Sequence, residues 1–293
     1  MNRNAMPLLK TYLLTALAAI FWGANFNLAQ PVLAEMGPYV AGASRYLLAA
    51  LIMLLITFSR GETVPLRYIK TYALLGLVGV FGYNLFFFLG MQSTSAVSGA
   101  LIMALNPLLT AVIAFFILKD RPSSRQLLAF PVGIIGVAIV VLGAGAELRV
   151  ATGDIYILIA NLSWAFYNVL VRKLLPKEVS GIASTAGIMT AGAIALTMVA
   201  VISGEAFVLP TMHAGSALLV MTVAGGVLAY IFWNAGITKL GPSKAAIFLN
   251  LIPLTSIVIA AFAGMPPNLA QITGAVVVIG AVMFSTTAKK PIT

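Results

Sequence analysis

The side chains able to do chemistry are few. Seven acids, one histidine and no cysteine occur in 293 residues. Glu35, Glu62, Asp120, Glu147, Asp154, Glu178 and Glu205 fall between the long apolar runs or at their ends. His213 lies between the seventh run and the eighth. With no carboxylate or imidazole at the middle of a run, neither a pair of acids nor a Ser/His pair assembles there for acid–base or nucleophilic work. The missing cysteines exclude disulfides and thiolate metal sites, and one histidine cannot supply a multi-histidine site. The expectation is a protein without catalytic residues, cofactor or metal.

Other polar residues do sit at mid-run depth, beside aromatic rings. They are Trp22, Asn25 and Asn27; Tyr83 and Asn84; Trp164, Tyr167 and Asn168; Tyr230, Trp233 and Asn234; and Asn250. An amide in hydrocarbon is costly unless hydrogen-bonded, so these groups face an interior. There they serve as glue between helices or as the lining of a wet cavity, and both readings stay open. As a set they suit a small zwitterion with an apolar or aromatic side chain. Amides bond its ends while rings and Met103 cover its body. The candidate lining is Trp22, Asn25, Tyr83, Asn84, Met103, Trp164, Asn168, Tyr230, Trp233 and Asn250.

Arg45 is the one cation inside a run, about two turns from its end. It either attracts a carboxylate or snorkels outward, pairing with Glu35. Pro107 and Pro253 interrupt the fourth and ninth runs, and proline kinks a helix by removing a backbone donor. A moving hinge and a static packing kink are both compatible with that placement.

These residues need elements to hold them. The chain is 61% hydrophobic and 8% charged, against roughly 25% charged in soluble domains, so it belongs in a bilayer. Ten apolar runs lie near Tyr12–Val32, Tyr39–Phe58, Ile69–Gly90, Val97–Leu118, Gln126–Leu142, Ile155–Val171, Ile182–Ile202, Gly215–Ile237, Ala245–Phe262 and Leu269–Ser285. Each approaches the roughly 20 residues that a spanning helix needs. Their continuity excludes a transmembrane barrel, whose strands alternate. Arg3, Lys10 and the small residues Ala16-Leu17-Ala18 resemble the front of a signal peptide. The run continues well past them, so it is read as an uncleaved first helix.

Alternate loops sort the charge. Arg3, Lys10, Arg60, Arg67, Lys70, Lys119, Arg121, Arg125, Arg172, Lys173, Lys177, Lys239, Lys244, Lys289 and Lys290, 15 of the 17 cations, fall on one side. Arg149 alone is in a loop of the other side. Basic loops stay cytoplasmic, so both termini are expected inside and the helix count even. The net charge of +10 is thus a topology signal and implies no nucleic-acid partner.

An internal repeat appears at an offset of 146. Leu75–Leu118 lies over Met221–Gly264 without a gap, with 11 identities in 44 positions. Gly79/Gly225, Gly90/Gly236, Leu105/Leu251 and Pro107/Pro253 are among them. Five helices per half make the second half enter the membrane in the opposite sense, with a site expected at the midplane between halves. The expected fold is all-α with ten transmembrane helices as two inverted-topology five-helix repeats, residues 1–146 and 147–293.

The chain resembles the EamA-type branch of the drug/metabolite transporter superfamily. The resemblance is carried by Phe21-Trp22-Gly23-Ala24-Asn25-Phe26, Asn106-Pro107-Leu108, Lys119-Asp120-Arg121-Pro122 and Gly133-Ile134-Ile135-Gly136-Val137. Ser163-Trp164-Ala165, Leu251-Ile252-Pro253-Leu254 and the stretch from Gln271 to Gly280 repeat it more weakly. It implies a bacterial inner-membrane metabolite carrier with a central cavity, most similar to the YddG-type exporters of aromatic and other neutral amino acids. The expected partners are a small-molecule cargo and the lipid bilayer, in a monomer or weak oligomer. Without an intramembrane acid, facilitated diffusion by alternating access is the simpler mechanism. Export of other small metabolites or organic cations, or a receptor or scaffold role, are the alternatives. Trp22 and Asn25 stand at the depth where the small multidrug exporters depend on a Glu, which weakens a cationic-drug reading.

Overall fold

A computed structural model describes residues 8–120, 123–143, 151–241 and 245–286, and each of the ten expected apolar runs is helical in it. In chain order they are α1 (Leu8–Leu33), α2 (Pro38–Ser59), α3 (Leu66–Met91), α4 (Ala96–Leu118), α5 (Ser124–Gly143), α6 (Thr152–Leu174), α7 (Gly181–Ser203) and α8 (Met212–Leu240). α9 is a 3₁₀ turn at Ile247–Asn250 running into the α-helix Leu251–Phe262, and α10 is Leu269–Thr286. Among the described residues, seven helices are long and apolar enough to cross a membrane, and α5, α9 and α10 carry shorter apolar stretches. Strands are absent from the described residues. Arg3, Arg121, Pro122, Glu147, Arg149, Lys244, Lys289, Lys290 and the expected boundary between residues 146 and 147 lie outside them.

The outer surface is apolar at helical spacing. Leu47, Leu51 and Leu55 on α2 and Ile194, Met198 and Val201 on α7 are all exposed. Such stripes are untenable against water and ordinary against lipid, which makes this a multi-pass membrane protein. Inside, the pairing is reciprocal. α2 runs along α7 and α5 along α10, while α1 packs against α8 and α9 just as α6 packs against α3 and α4.

Two features interrupt the regular helices. α3 and α8 each contain a π-helical segment, Leu77–Gly82 and Val223–Leu228. A π turn loosens the regular ladder and leaves carbonyls for other donors. Side chains from neighbouring helices take them up. Ser163 Oγ donates to the Val78 carbonyl at 2.7 Å, Tyr230 OH to the Gly79 carbonyl at 2.9 Å, and Trp22 Nε1 to the Gly225 carbonyl at 2.8 Å. Glycine is required at both centres by close approach: a Cβ on Gly79 would overlap the Tyr167 ring, and one on Gly225 the Asn25 amide.

The second interruption concerns the prolines. Where a kink is expected at Pro107, α4 instead breaks into Ala96–Met103 and Asn106–Leu118, joined by a turn at Ala104 and Leu105. Proline has no N–H to continue the ladder, and the Ile102 carbonyl accepts a bond from Asn161 Nδ2 at 2.8 Å. Ahead of Pro253 the same discontinuity takes the form of the 3₁₀ turn. His213, expected in a loop, stands in the first turn of α8, whose helix starts earlier than its apolar run.

Candidate functional site

The mid-depth aromatic residues converge. Trp22 on α1 meets Trp164 on α6 edge-on, with ring centroids 5.0 Å apart at 78°. It also meets Trp233 at 5.0 Å and Tyr230 at 5.9 Å, both on α8. Tyr83 on α3 approaches Trp164 at 5.4 Å. Edge-to-face packing of this kind contributes beyond simple burial. It also makes the rings a cage whose members hold one another in place.

Within the cage is a cavity lined by Trp22, Arg45, Tyr46, Tyr83, Met103, Trp164, Tyr230 and Ile252. The lining residues come from seven helices, α1, α2, α3, α4, α6, α8 and α9. The central space is about the size of one water molecule. Anything larger fits here only if the rings part.

Of the ten expected lining residues, Trp22, Tyr83, Met103, Trp164 and Tyr230 line this cavity. The others are placed behind or beside it. Trp233 donates its Nε1–H to Asn168 Oδ1 at 3.1 Å, and Asn168 Nδ2 donates to Asn106 Oδ1 at 3.2 Å. Asn106 Nδ2 donates in turn to Asn161 Oδ1 at 2.6 Å. This chain of amides joins α8, α6 and α4 and braces the break before Pro107. Asn168 and Trp233 thus act here as helix-to-helix glue. Asn84 receives Arg45 and donates to the Val80 carbonyl at 2.8 Å. Asn25 and Asn250 are buried with their Oδ1 atoms unpartnered. Tyr46 and Ile252 line the cavity without having been expected. Ile252 precedes Pro253 as Asn106 precedes Pro107, which is the one sequence signal that pointed to its depth.

Arg45 and Glu35 do not meet. Arg45 is 1% exposed and turned inward. Its Nε and Nη2 donate to the Met221 carbonyl at 3.2 and 3.1 Å, and its Nη1 to Asn84 Oδ1 at 3.1 Å. The Met221 carbonyl lies near the end of the α-helical part of α8, two residues ahead of its π segment. The outward, snorkelling reading of Arg45 is corrected accordingly. Glu35 instead takes the Thr211 N–H and hydroxyl at 2.7 and 2.6 Å.

Carboxylates tie the loops at both ends of the bundle. Thr211, by its hydroxyl and then its N–H, holds Glu35 below its ordinary carboxylate range. At the opposite end of α2, Glu62 is lowered chiefly by the hydroxyl of Ser180, with help from Arg60. Glu205 accepts from the Val40 N–H at 3.0 Å, and Glu178 from Tyr68. Asp154, buried in the first turn of α6, accepts from Thr94 at 2.6 Å. Every described acid thus stands in a loop or at a helix end, as expected.

A sequence model of the EamA-like transporter family matches residues 9–142 and 151–287. The chain is 37% identical over 283 residues to YyaM, an uncharacterized transporter of Bacillus subtilis, covering 94% of this chain and 92% of that one. It is 22% identical over 283 residues to a protein of Streptantibioticus cattleyicolor named a probable terminal-alkyne amino-acid exporter, covering 96% of this chain and 95% of that one. One solved crystal structure superposes with a TM-score of 0.71 at 20% identity, covering 94% of this chain and 96% of its own. At that identity the likeness concerns the fold alone.

Proposed function

The chain belongs to the EamA-like transporter family, and from that premise we propose that it exports amino acids, aromatic and other neutral ones, by alternating access. The observation that carries this reading is the cavity itself. Rings and Met103 cover an apolar body, and the Arg45 guanidinium waits for a carboxylate. The Streptantibioticus relative, named for amino-acid export, lends support. So does the sequence resemblance to YddG-type exporters.

The architecture in this proposal is ten spans in two inverted repeats, 1–146 and 147–293. Three matched features support it. The π segments Leu77–Gly82 and Val223–Leu228 are offset by 146 residues, the same offset as the sequence repeat. The discontinuities at Ala104-Leu105 and at Ile247–Asn250 fall at corresponding depths. The reciprocal packing of α1 and α6 is what a pseudo-twofold axis in the membrane plane produces. Pro107 and Pro253 then flank the cavity as paired hinges for opening either face. In this reading both termini lie in the cytoplasm, which the charge partition supports, and the protein lies in the bacterial inner membrane, which the EamA resemblance supports. With no acid at mid-depth among the described residues, transport proceeds by facilitated diffusion, without carboxylate-based proton exchange.

A competition panel tests the cargo. Purified protein in liposomes is expected to catalyse exchange of radiolabelled phenylalanine, with aromatic and aliphatic amino acids competing and organic cations not. Failure of every amino acid to compete would overturn the cargo assignment.

A further inference from the structure

Among the described residues that line it, the central cavity has one positive charge, Arg45, and no acid. Burying a lone guanidinium within a bilayer is expensive, and such residues ordinarily pair with an acid. Arg45 does not. Among the described residues the ion pairs are Arg60–Glu62 and Arg67–Glu178, both at the surface; Glu35, Glu205 and Asp154 are hydrogen-bonded at loops and helix ends, and Asp120 follows the end of α4. What Arg45 does have is dipoles: the Met221 carbonyl, the Asn84 amide oxygen and the Tyr46 ring at 5.1 Å. These orient the head and solvate it in part, while leaving its unit charge uncancelled.

The donor count points the same way. A guanidinium carries five N–H groups in a planar fork. Three are used by Met221 and Asn84, which leaves two, and Arg45 lines the cavity. A planar fork beside a cavity matches a carboxylate, which accepts such pairs in two parallel bonds. No acid lines the cavity to receive an ammonium. The aromatic faces attract one weakly, but Arg45 at the same cavity repels it.

We propose that Arg45 is the anion-binding residue of the central cavity, and that its preferred cargo is an organic monoanion: a carboxylate on an aromatic or apolar body with its amine masked or missing. This assignment rests on the cavity being the cargo site proposed above; it keeps the carboxylate and the side chain of the amino-acid reading but ranks the N-masked or deaminated acid above the free zwitterion. It also supplies a driving force. A monoanion leaving a cell whose interior is negative gains its membrane-potential energy, a steady outward ratio of about 50-fold per 100 mV. Export driven by the potential remains facilitated diffusion, down the anion's electrochemical gradient, and needs no titrating acid, consistent with the described acids lying at loops and helix ends.

Three probes sharing one body separate the cases: N-acetylphenylalanine (anion), phenylalanine (zwitterion) and phenylalanine amide (cation). Their efflux is followed from proteoliposomes with potassium inside and valinomycin to set an inside-negative potential, against protein-free liposomes. The expected result is protein-dependent efflux of N-acetylphenylalanine that rises with the potential. Arg45→Gln lowers this flux more than tenfold, while Arg45→Lys retains the anion preference at weaker affinity. Saturable quenching of tryptophan fluorescence by N-acetylphenylalanine, lost in Arg45→Gln, reports binding apart from transport. If phenylalanine moves and N-acetylphenylalanine neither moves nor binds, or if flux ignores the potential, the anion assignment fails while the transport reading stands. If N-acetylphenylalanine binds through Arg45 and nothing moves, the anion site stands and the transport reading fails. If nothing binds and nothing moves, both fail.

Discussion

Trp22→Ala is expected to destabilise the protein by about 3–5 kcal/mol and to abolish transport, whereas Trp22→Phe costs about 1 kcal/mol. Trp22 is the hub of the cage. Trp164, Trp233 and Tyr230 surround it with centroids 5.0, 5.0 and 5.9 Å away. Alanine leaves a void that three mutually braced rings cannot all fill, so the cavity term is added to the lost contacts. It also strands the Gly225 carbonyl, whose side-chain donor is the indole N–H at 2.8 Å. Phenylalanine keeps a six-membered ring in the cage and loses that bond together with the smaller remainder of the indole's packing. Thermal unfolding of the detergent-solubilised variants reads the ordering directly. An alanine variant as stable as wild type would mean that the cage is not packed as described.

The second large effect belongs to the amide chain. Asn106→Leu is expected to cost about 2–4 kcal/mol, and Thr110→Val less than about 1 kcal/mol. Asn106 donates to Asn161 Oδ1 and to the Asn161 carbonyl, and it accepts from Asn168 Nδ2 and from Thr110 Oγ1. Leucine keeps the branching at Cγ but is bulkier, so crowding at this fully buried site adds to the loss of polar partners. It leaves the Asn161 and Asn168 side chains reaching for an absent amide, in a place where water cannot compensate. Thr110 sits at the edge of the network and gives up one bond. Equal losses for the two variants would show that the chain of amides does not brace α4 at its break.

The sequence revealed the rings better than the amides, for a physical reason. Trp22 and Trp164 lie too deep in their runs for an interfacial belt, so depth alone pointed them to the interior, where the structure gathers them into the cage. An asparagine at the same depth has two solutions, and only the neighbours decide between them. Asn168 found Trp233 and Asn106, while Asn84 found Arg45. Arg45 was ambiguous for the same reason. Snorkelling is the default for a lone cation, and what reversed it here is the Met221 carbonyl together with the Asn84 amide oxygen. Helix defects such as the π segments leave little trace in hydropathy. Their trace was the matched pair Gly79 and Gly225 within the repeat, where the bare backbone lets Tyr167 and Asn25 approach. The ten helical runs were legible throughout, because apolar length alone determines them. The break at Ala104 and Leu105 was signalled by Pro107, although as a kink.

The most direct measurement follows a thiol in the cavity from both faces of the membrane. The chain has no cysteine, so a Met103→Cys variant carries a single one, at a position that lines the cavity. Alternating access predicts that a membrane-impermeant maleimide labels it when supplied from either face alone, and that transported amino acid or its N-acetyl form slows labelling from both. Labelling from one face only, or from neither, in a protein that still folds would contradict it.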